Sequence, residues 1–199
     1  MTKDFNAAVQ DRRTIYALGR EVNISDEKVL EVVKHGVKNS PTAFNSQSGR
    51  VVVLFGKHHE KLWDITKAVL KKKIPEDRFA PTEAKLNSFR NAYGTILYFE
   101  DQSIVENLQQ QFPTYKDNFP VWSQQGSGIL QYVIWTELEV EGLGASLQHY
   151  NPIIDDDVRK EWDIPSNWKL IAQMPFGAPT AKPEEKQYQP IEERMKVFK

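Results

Sequence analysis

Three stretches of the chain carry side chains whose types and spacing could do chemistry. Arg12-Arg13-Thr14 sets two guanidinium groups beside a hydroxyl, a set that can grip a phosphate through charge-assisted hydrogen bonds. The same pair can also act only as cations at the C-terminal end of a helix, where the dipole favours them. Asn45-Ser46-Gln47 lies within Ser40 to Gly56, whose first half is small and polar and whose second half is β-branched and aromatic. That run reads as a polar loop fixed by a buried strand of about Arg50 to Phe55, offering amides, a hydroxyl and free backbone N–H groups to a ligand, or as an ordinary helix-to-strand connection. Phe112, Tyr115, Phe119 and Trp122 put four aromatics within eleven residues around Pro113. They suit either a core or a cover for a flat aromatic ligand.

The missing residues narrow the chemistry further. There is no cysteine, so thiol nucleophiles, disulfides, cysteine-ligated zinc and iron–sulfur clusters are excluded, and redox chemistry would need a bound cofactor. His58-His59 has no third ligand at metal spacing. Asp155-Asp156-Asp157 reads as the acidic first turn of a helix. Gly142-Leu143-Gly144 lacks the third glycine and the following helix of a dinucleotide fingerprint. A net charge of −1 argues against nucleic acid as a partner, and Lys71-Lys72-Lys73 reads as a helix end. No apolar run approaches the ~20 residues that cross a bilayer. The charged start, Met1-Thr2-Lys3-Asp4-Phe5, lacks the apolar segment of a signal peptide, so no membrane association and a cytoplasmic location are expected.

The elements that must position these residues follow from periodicity. The 199 residues suit one domain, 1–199, with a charged tail over 180–199. Asp4 is placed to cap a short helix with Phe5, Ala8 and Val9 on one face, and Ser25 a second helix with Val29, Val33 and Val37 as its buried stripe. A helix from His58 carries Leu62, Ile65 and Val69, followed by a mobile connection from Lys73 to Thr82 and a helix to about Asn91. Thr95 to Phe99 is a second strand, apolar without interruption and therefore covered on both faces. A helix follows from Asp101 to Gln111. Val121 to Glu141 is a helix apolar around more than half its circumference, which makes it central or buried against a partner subunit. Asp155 opens a helix packed through Val158 and Trp162. Lys169 to Phe176 is the third strand, ended by Gly177-Ala178-Pro179. The tail has only Ile191, Met195, Val197 and Phe198 as apolar anchors, so it is either disordered or laid across another chain.

In order along the chain, Arg12-Arg13-Thr14, Pro41 to Ser48, Gly94 to Asp101, Gly142 to Tyr150 and Pro175-Phe176-Gly177 together resemble the FMN-dependent nitroreductase family. The likeness is strongest to its short branch of bacterial nitroreductases and the fungal fatty-acid-repression type. The resemblance implies an α+β fold with a mixed central β-sheet flanked by helices, assembled as an intertwined homodimer whose C-terminal tail extends over the partner. It implies FMN at the subunit interface. Arg12 and Thr14, with Arg13 nearby and Lys186 from the tail, would bind its phosphate, and Tyr16 stands where many members carry a base. Asn45, Ser46 and Gln47 would meet the ribityl chain and ring edge, and Leu147, Gln148 and His149 would line the ring. Lys85 would face its pyrimidine end. Ser48-Gly49 replaces the more usual Pro-Trp, and Tyr188 stands where a second tail cation is common.

The implied activity is a ping-pong oxidoreductase that takes hydride from NADH or NADPH and passes electrons to a small-molecule acceptor of nitroaromatic or quinone type. No catalytic side chain is required. The alternatives are a flavin-binding regulatory or stress-response module with little turnover, and a small interaction domain with no cofactor.

Overall fold

The computed structural model describes residues 3–199, so Met1 and Thr2 of the charged start lie outside it. At its centre is β3, Gly94–Asp101, with all eight residues buried. Ile96 and Tyr98 join the core on one face and Leu97 and Phe99 the core on the other, because successive strand side chains alternate. That alternation explains the unbroken apolar run: helices cover both faces.

β3 pairs antiparallel with β2, Gly49–Phe55, on one side and with β5, Trp168–Pro179, on the other. Two-residue strands β1, Leu18–Gly19, and β4, Gly144–Ala145, pair with the far end of β5. The order β1-β5-β3-β2 leaves β2 at an edge. These ladders are all antiparallel; the parallel pairing among the described residues is the isolated bridge Thr14–Ala145.

On one face lie α2, Asp26–Asn39, and α6, Phe119–Val140, packed through Val29, Val33, Leu130 and Ile134. A Cβ on Gly36 of α2 would stand 2.4 Å from Ile134 Cγ1, so the close crossing of these helices requires glycine there. On the other face lie α3, Gly56–Lys71, α4, Glu76–Arg90, and α7, Asp155–Glu161, around Trp63, Phe89 and Ile154. The first helix, α1, spans Phe5–Asp11, and α5 spans Gln102–Gln111. The expected caps form: Asp4 accepts from Ala7 N at 2.9 Å and Ser25 from Lys28 N at 3.3 Å. No helix among the described residues is long and apolar enough to cross a membrane.

Several expectations are corrected. The stretch from Lys73 to Thr82 is no mobile connection, because α4 already begins at Glu76 and runs through Pro81. Pro81 forfeits only one bond of the early helix, while Glu76 and Asp77 favour the N-terminus and buried Phe79 anchors it. Val37 is 46% exposed, outside the buried stripe, and lines a groove beside β2. Phe5 and Val9 are exposed as well, leaving Ala8 as the one buried residue of α1. β5 does not stop at Phe176 but continues to Pro179. Gly177 makes this possible: a Cβ there would lie 2.4 Å from Gly19 O, so only glycine admits β1 alongside. The long helix begins at Phe119, with Pro120 in its first turn.

Candidate functional site

The phosphate-type residues are assembled where α1 gives way to the sheet. Arg12 caps α1, its N–H bonding Ala8 O, and the chain then turns so that Thr14 bridges Ala145 and Ile15 N donates to Ala145 O at 2.9 Å. This brings Arg12 to Thr14 beside the strip that continues to His149. The Arg12 guanidinium lies 4.4 Å above the Trp135 ring and 5.8 Å from that of Tyr132, both on α6. Its Nε is buried without a hydrogen-bond partner, and no carboxylate among the described residues pairs with it. A half-buried cation with an orphaned donor is what an incoming phosphate would complete. Arg13 is engaged instead with the start of the tail, donating from Nη2 to Glu184 O at 2.7 Å. Between Arg13–Ala17 and Ala181–Glu184 lies a depression of about 460 Å³.

Two further expected residues close this patch. The Lys85 ammonium comes down from α4 to 5.9 Å from the exposed Tyr16 ring and 5.7 Å from Phe89. Beyond Ala145 the strip follows β5 by hydrogen bonds from Ser146 N to Pro175 O and from Gln148 N to Gln173 O, at 3.1 and 2.7 Å. Leu147 is half-buried and His149 exposed, both open to a ligand, whereas Gln148 is buried and donates its amide to Ser146 Oγ at 3.3 Å. The Lys186 ammonium stands 5.0 Å over the Tyr188 ring in the exposed tail.

The Asn45-Ser46-Gln47 loop is a second candidate group, built under backbone strain. Phe44, Asn45 and Gln47 have φ of 55°, 49° and 48°, a left-handed region that a bulky residue such as Phe44 rarely enters. Such residues cost of order 1–3 kcal/mol each and persist only where the surroundings hold them. Here Thr42 Oγ1 accepts from Gln47 N at 3.0 Å, and Arg50 Nη1 donates to Gln47 O and Gly49 O at 2.8 and 3.0 Å. Phe44 packs among Phe112, Tyr115, Phe119 and Trp122, stacked on Trp122 at 5.8 Å. These aromatics therefore make a partly exposed cluster around the loop. The side chains of Asn45, Ser46 and Gln47 make no hydrogen bond to the described residues, so their donors and acceptors are unspent.

Beneath the loop sits a carboxylate pair that sequence reasoning did not single out. Glu100 Oε2 accepts from Ser48 Oγ at 2.6 Å and Ser123 Oγ at 2.7 Å, and burial pushes its carboxyl upward against those hydrogen bonds. Asp101 is also pushed up by burial, but donors from Ser103 and Asn167 and the Arg50 charge outweigh this and hold it below the usual range. The one available signal was local: Ser48-Gly49 in place of Pro-Trp supplies a hydroxyl and removes a side chain where Glu100 lies.

The two groups occupy opposite regions of the chain. Thr14 bridges Ala145, which pairs with Phe176, whereas Gly49 is in register with Glu100 and through it with Lys169. Seven residues of β5, about 23 Å at ~3.3 Å per residue, separate those positions, with β5 and β3 lying between the groups. The groove of about 710 Å³ that holds Asn45 and Gln47 shares no lining residue with the depression at Arg13.

Comparisons with known proteins bear on this arrangement. The family model described as Nitroreductase family matches residues 9–178. Nitroreductase CinD from Lactococcus lactis, solved with nicotinic acid, is 51% identical with a TM-score of 0.92, over 98% of this chain and 100% of that one. The same protein solved with 4-nitrophenol is 52% identical at a TM-score of 0.89, with the same coverage. Nitroreductase FRM2 from Saccharomyces cerevisiae is 36% identical over 94% of either chain. A Desulfovibrio desulfuricans protein solved with FMN shares the fold at a TM-score of 0.70 and 19% identity, each chain covered in full.

Proposed function

The chain belongs to the nitroreductase family and is an oxidoreductase, and from that premise we propose that it is an FMN-dependent enzyme using NADH or NADPH to reduce nitroaromatic or quinone-type acceptors. The observation that carries this is Arg12, charged, half-buried, without a carboxylate partner among the described residues and with Nε orphaned. When bound, FMN would supply the hydride chemistry, accepting from the nicotinamide in one half-reaction and delivering to the acceptor in a second. The chain's own residues bind and orient it. Arg12 and Thr14 hold the phosphate, Lys85 beside Tyr16 sets a positive charge at the pyrimidine end, and Leu147 and His149 border the ring.

Asn45, Ser46 and Gln47 serve the cofactor of a second copy, since their loop lies across the sheet from Arg12 in the same chain. The open edge of β2 supports this homodimer. Val51, Val53 and Val37 leave an apolar groove there, rimmed by Lys34 and Lys38. The exposed tail offers Ile191, Met195 and Val197 at every second or fourth position, with Glu192 and Glu193 to meet the lysines. We assign the groove to the tail of the second copy.

Steady-state oxidation of NADH and NADPH with nitroaromatic and quinone acceptors tests the reading. Turnover that needs FMN, with initial rates giving parallel double-reciprocal lines, supports it; a yellow protein that consumes almost no nicotinamide favours the regulatory alternative. That second reading is motivated by the substituted cationic positions, Tyr16 standing in place of a base and Tyr188 in place of a second tail cation.

A further inference from the structure

Glu100 is a buried carboxylate that the proposed chemistry does not use. It is 1% exposed and forms no salt bridge among the described residues. Its surroundings are Ser48 from the loop, Ser123 from α6, the Arg50 charge from β2 and the neighbouring Asp101. Core packing alone does not ask for such a group, because an apolar side chain of similar volume fills a buried position at lower cost. What the carboxylate achieves is geometric. Both hydroxyls converge on one oxygen, Oε2, which ties the loop to α6 through a shared acceptor.

That tie falls at a particular place in the strained loop. Ser48 follows Gln47 directly, and its carbonyl also accepts from Asp101 N at 3.0 Å. Ser123 follows Trp122, whose ring stacks on Phe44 with 20° between planes. The segment Phe44–Gln47, left-handed at all but Ser46, is thus fastened to α6 at both ends, by an aromatic stack at Phe44 and by Glu100 at Ser48. Gly49 lies alongside: a Cβ there would stand 3.1 Å from Leu130 Cδ2 of α6, tight enough to make Leu130 shift, and in ordinary contact with Glu100 Oε1 at 3.7 Å.

We propose that Glu100 is a positioning residue whose Oε2 clamps Ser48 to Ser123 and so holds Asn45, Ser46 and Gln47 in the shape that meets FMN. This builds on the reading of those three residues as cofactor contacts. The function of Glu100 is acceptance of two hydroxyl hydrogen bonds, not charge. An amide carbonyl can take over that function, and a methyl group cannot.

The test is FMN titration of Glu100→Ala, Glu100→Gln, Ser48→Ala and the Ser48→Ala/Glu100→Ala double variant, with thermal melting of each apoprotein alongside. Glu100→Ala and Ser48→Ala should each weaken FMN about tenfold or more, the loss of a buried hydrogen bond read as affinity. The double variant should lose no more than Glu100→Ala alone, since both changes open one clamp. Glu100→Gln should rescue affinity to within about threefold of the parent, a result that a role for the charge would not give. Additive losses in the double variant, failure of the Gln rescue, or unchanged FMN affinity in Ser48→Ala would overturn the proposal, and Ser48→Ala decides it even if Glu100→Ala does not fold. Absence of FMN binding in the parent protein removes the site reading itself and this inference with it.

Discussion

Replacing Arg12 by Ala separates the proposed cofactor role of this arginine from any role in folding, because among the described residues its side chain has nothing to lose in the free chain except its stack. Losing the guanidinium over Trp135 and Tyr132 costs about 0.5–2 kcal/mol. Removing a buried donor with no partner returns a similar amount, about 1–3 kcal/mol. The two offset, and apoprotein stability should move by less than about 1 kcal/mol. FMN binding has no such compensation. A charge-assisted pair with phosphate is worth about 2–3 kcal/mol, so the dissociation constant should rise about 30- to 150-fold. Riboflavin, which has no phosphate, supplies the control: its affinity should be nearly the same in the parent and the variant. The assay is quenching of flavin fluorescence by both ligands, with denaturant melts of the two apoproteins. Equal losses for FMN and riboflavin, or an unchanged FMN affinity, would refute the assignment of Arg12 to the phosphate.

Three further outcomes are expected. His59 is buried between Thr95 Oγ1 at 2.8 Å and Arg90 O at 3.2 Å, and burial lowers its pKa to about 4. Because the unfolded chain binds the proton first, stability should be complete above about pH 6.5 and fall by about 3 kcal/mol as pH drops toward 4; urea melts across that range should show the slope, and His59→Gln should flatten it. Deleting residues 185–199 should convert a dimer to a monomer in light scattering, and a dimer that survives the deletion would contradict tail exchange across β2. Gly177→Ala should cost about 1–3 kcal/mol or more by chemical denaturation, since its Cβ would meet the Gly19 carbonyl at 2.4 Å; a neutral change would mean that β1 shifts freely.

Much of this architecture could be read from the chain because its signals are local. Asp4 and Ser25 are caps whose partners lie three residues on, and the β3 run announces a strand covered on both faces. What escaped reading depends on residues distant in sequence. β1 and β4 are two-residue strands that exist only because Gly177 lets β5 continue beside them. α4 crosses a proline while Phe79 is buried in the fold, and Val37 follows helical spacing yet faces a groove, not the core. At the candidate site, residues from distant parts of the chain do converge. β4 brings Ala145, and with it the strip from Leu147 to His149, to Thr14 beside Arg12, and α4 carries Lys85 down to Tyr16. The role of Glu100 could not be read, because its partners Ser48 and Ser123 are 52 and 23 residues away and a lone Glu at a strand end ordinarily faces water.

Whether two copies of this chain together enclose FMN can be decided by analytical ultracentrifugation of the FMN-saturated protein, followed at both the protein and the flavin absorbance. Flavin colour should sediment with a species of twice the chain mass and bleach when NADH or NADPH is added without oxygen. A colourless particle with the mass of one chain, its flavin left behind in the supernatant, would overturn the shared-cofactor dimer.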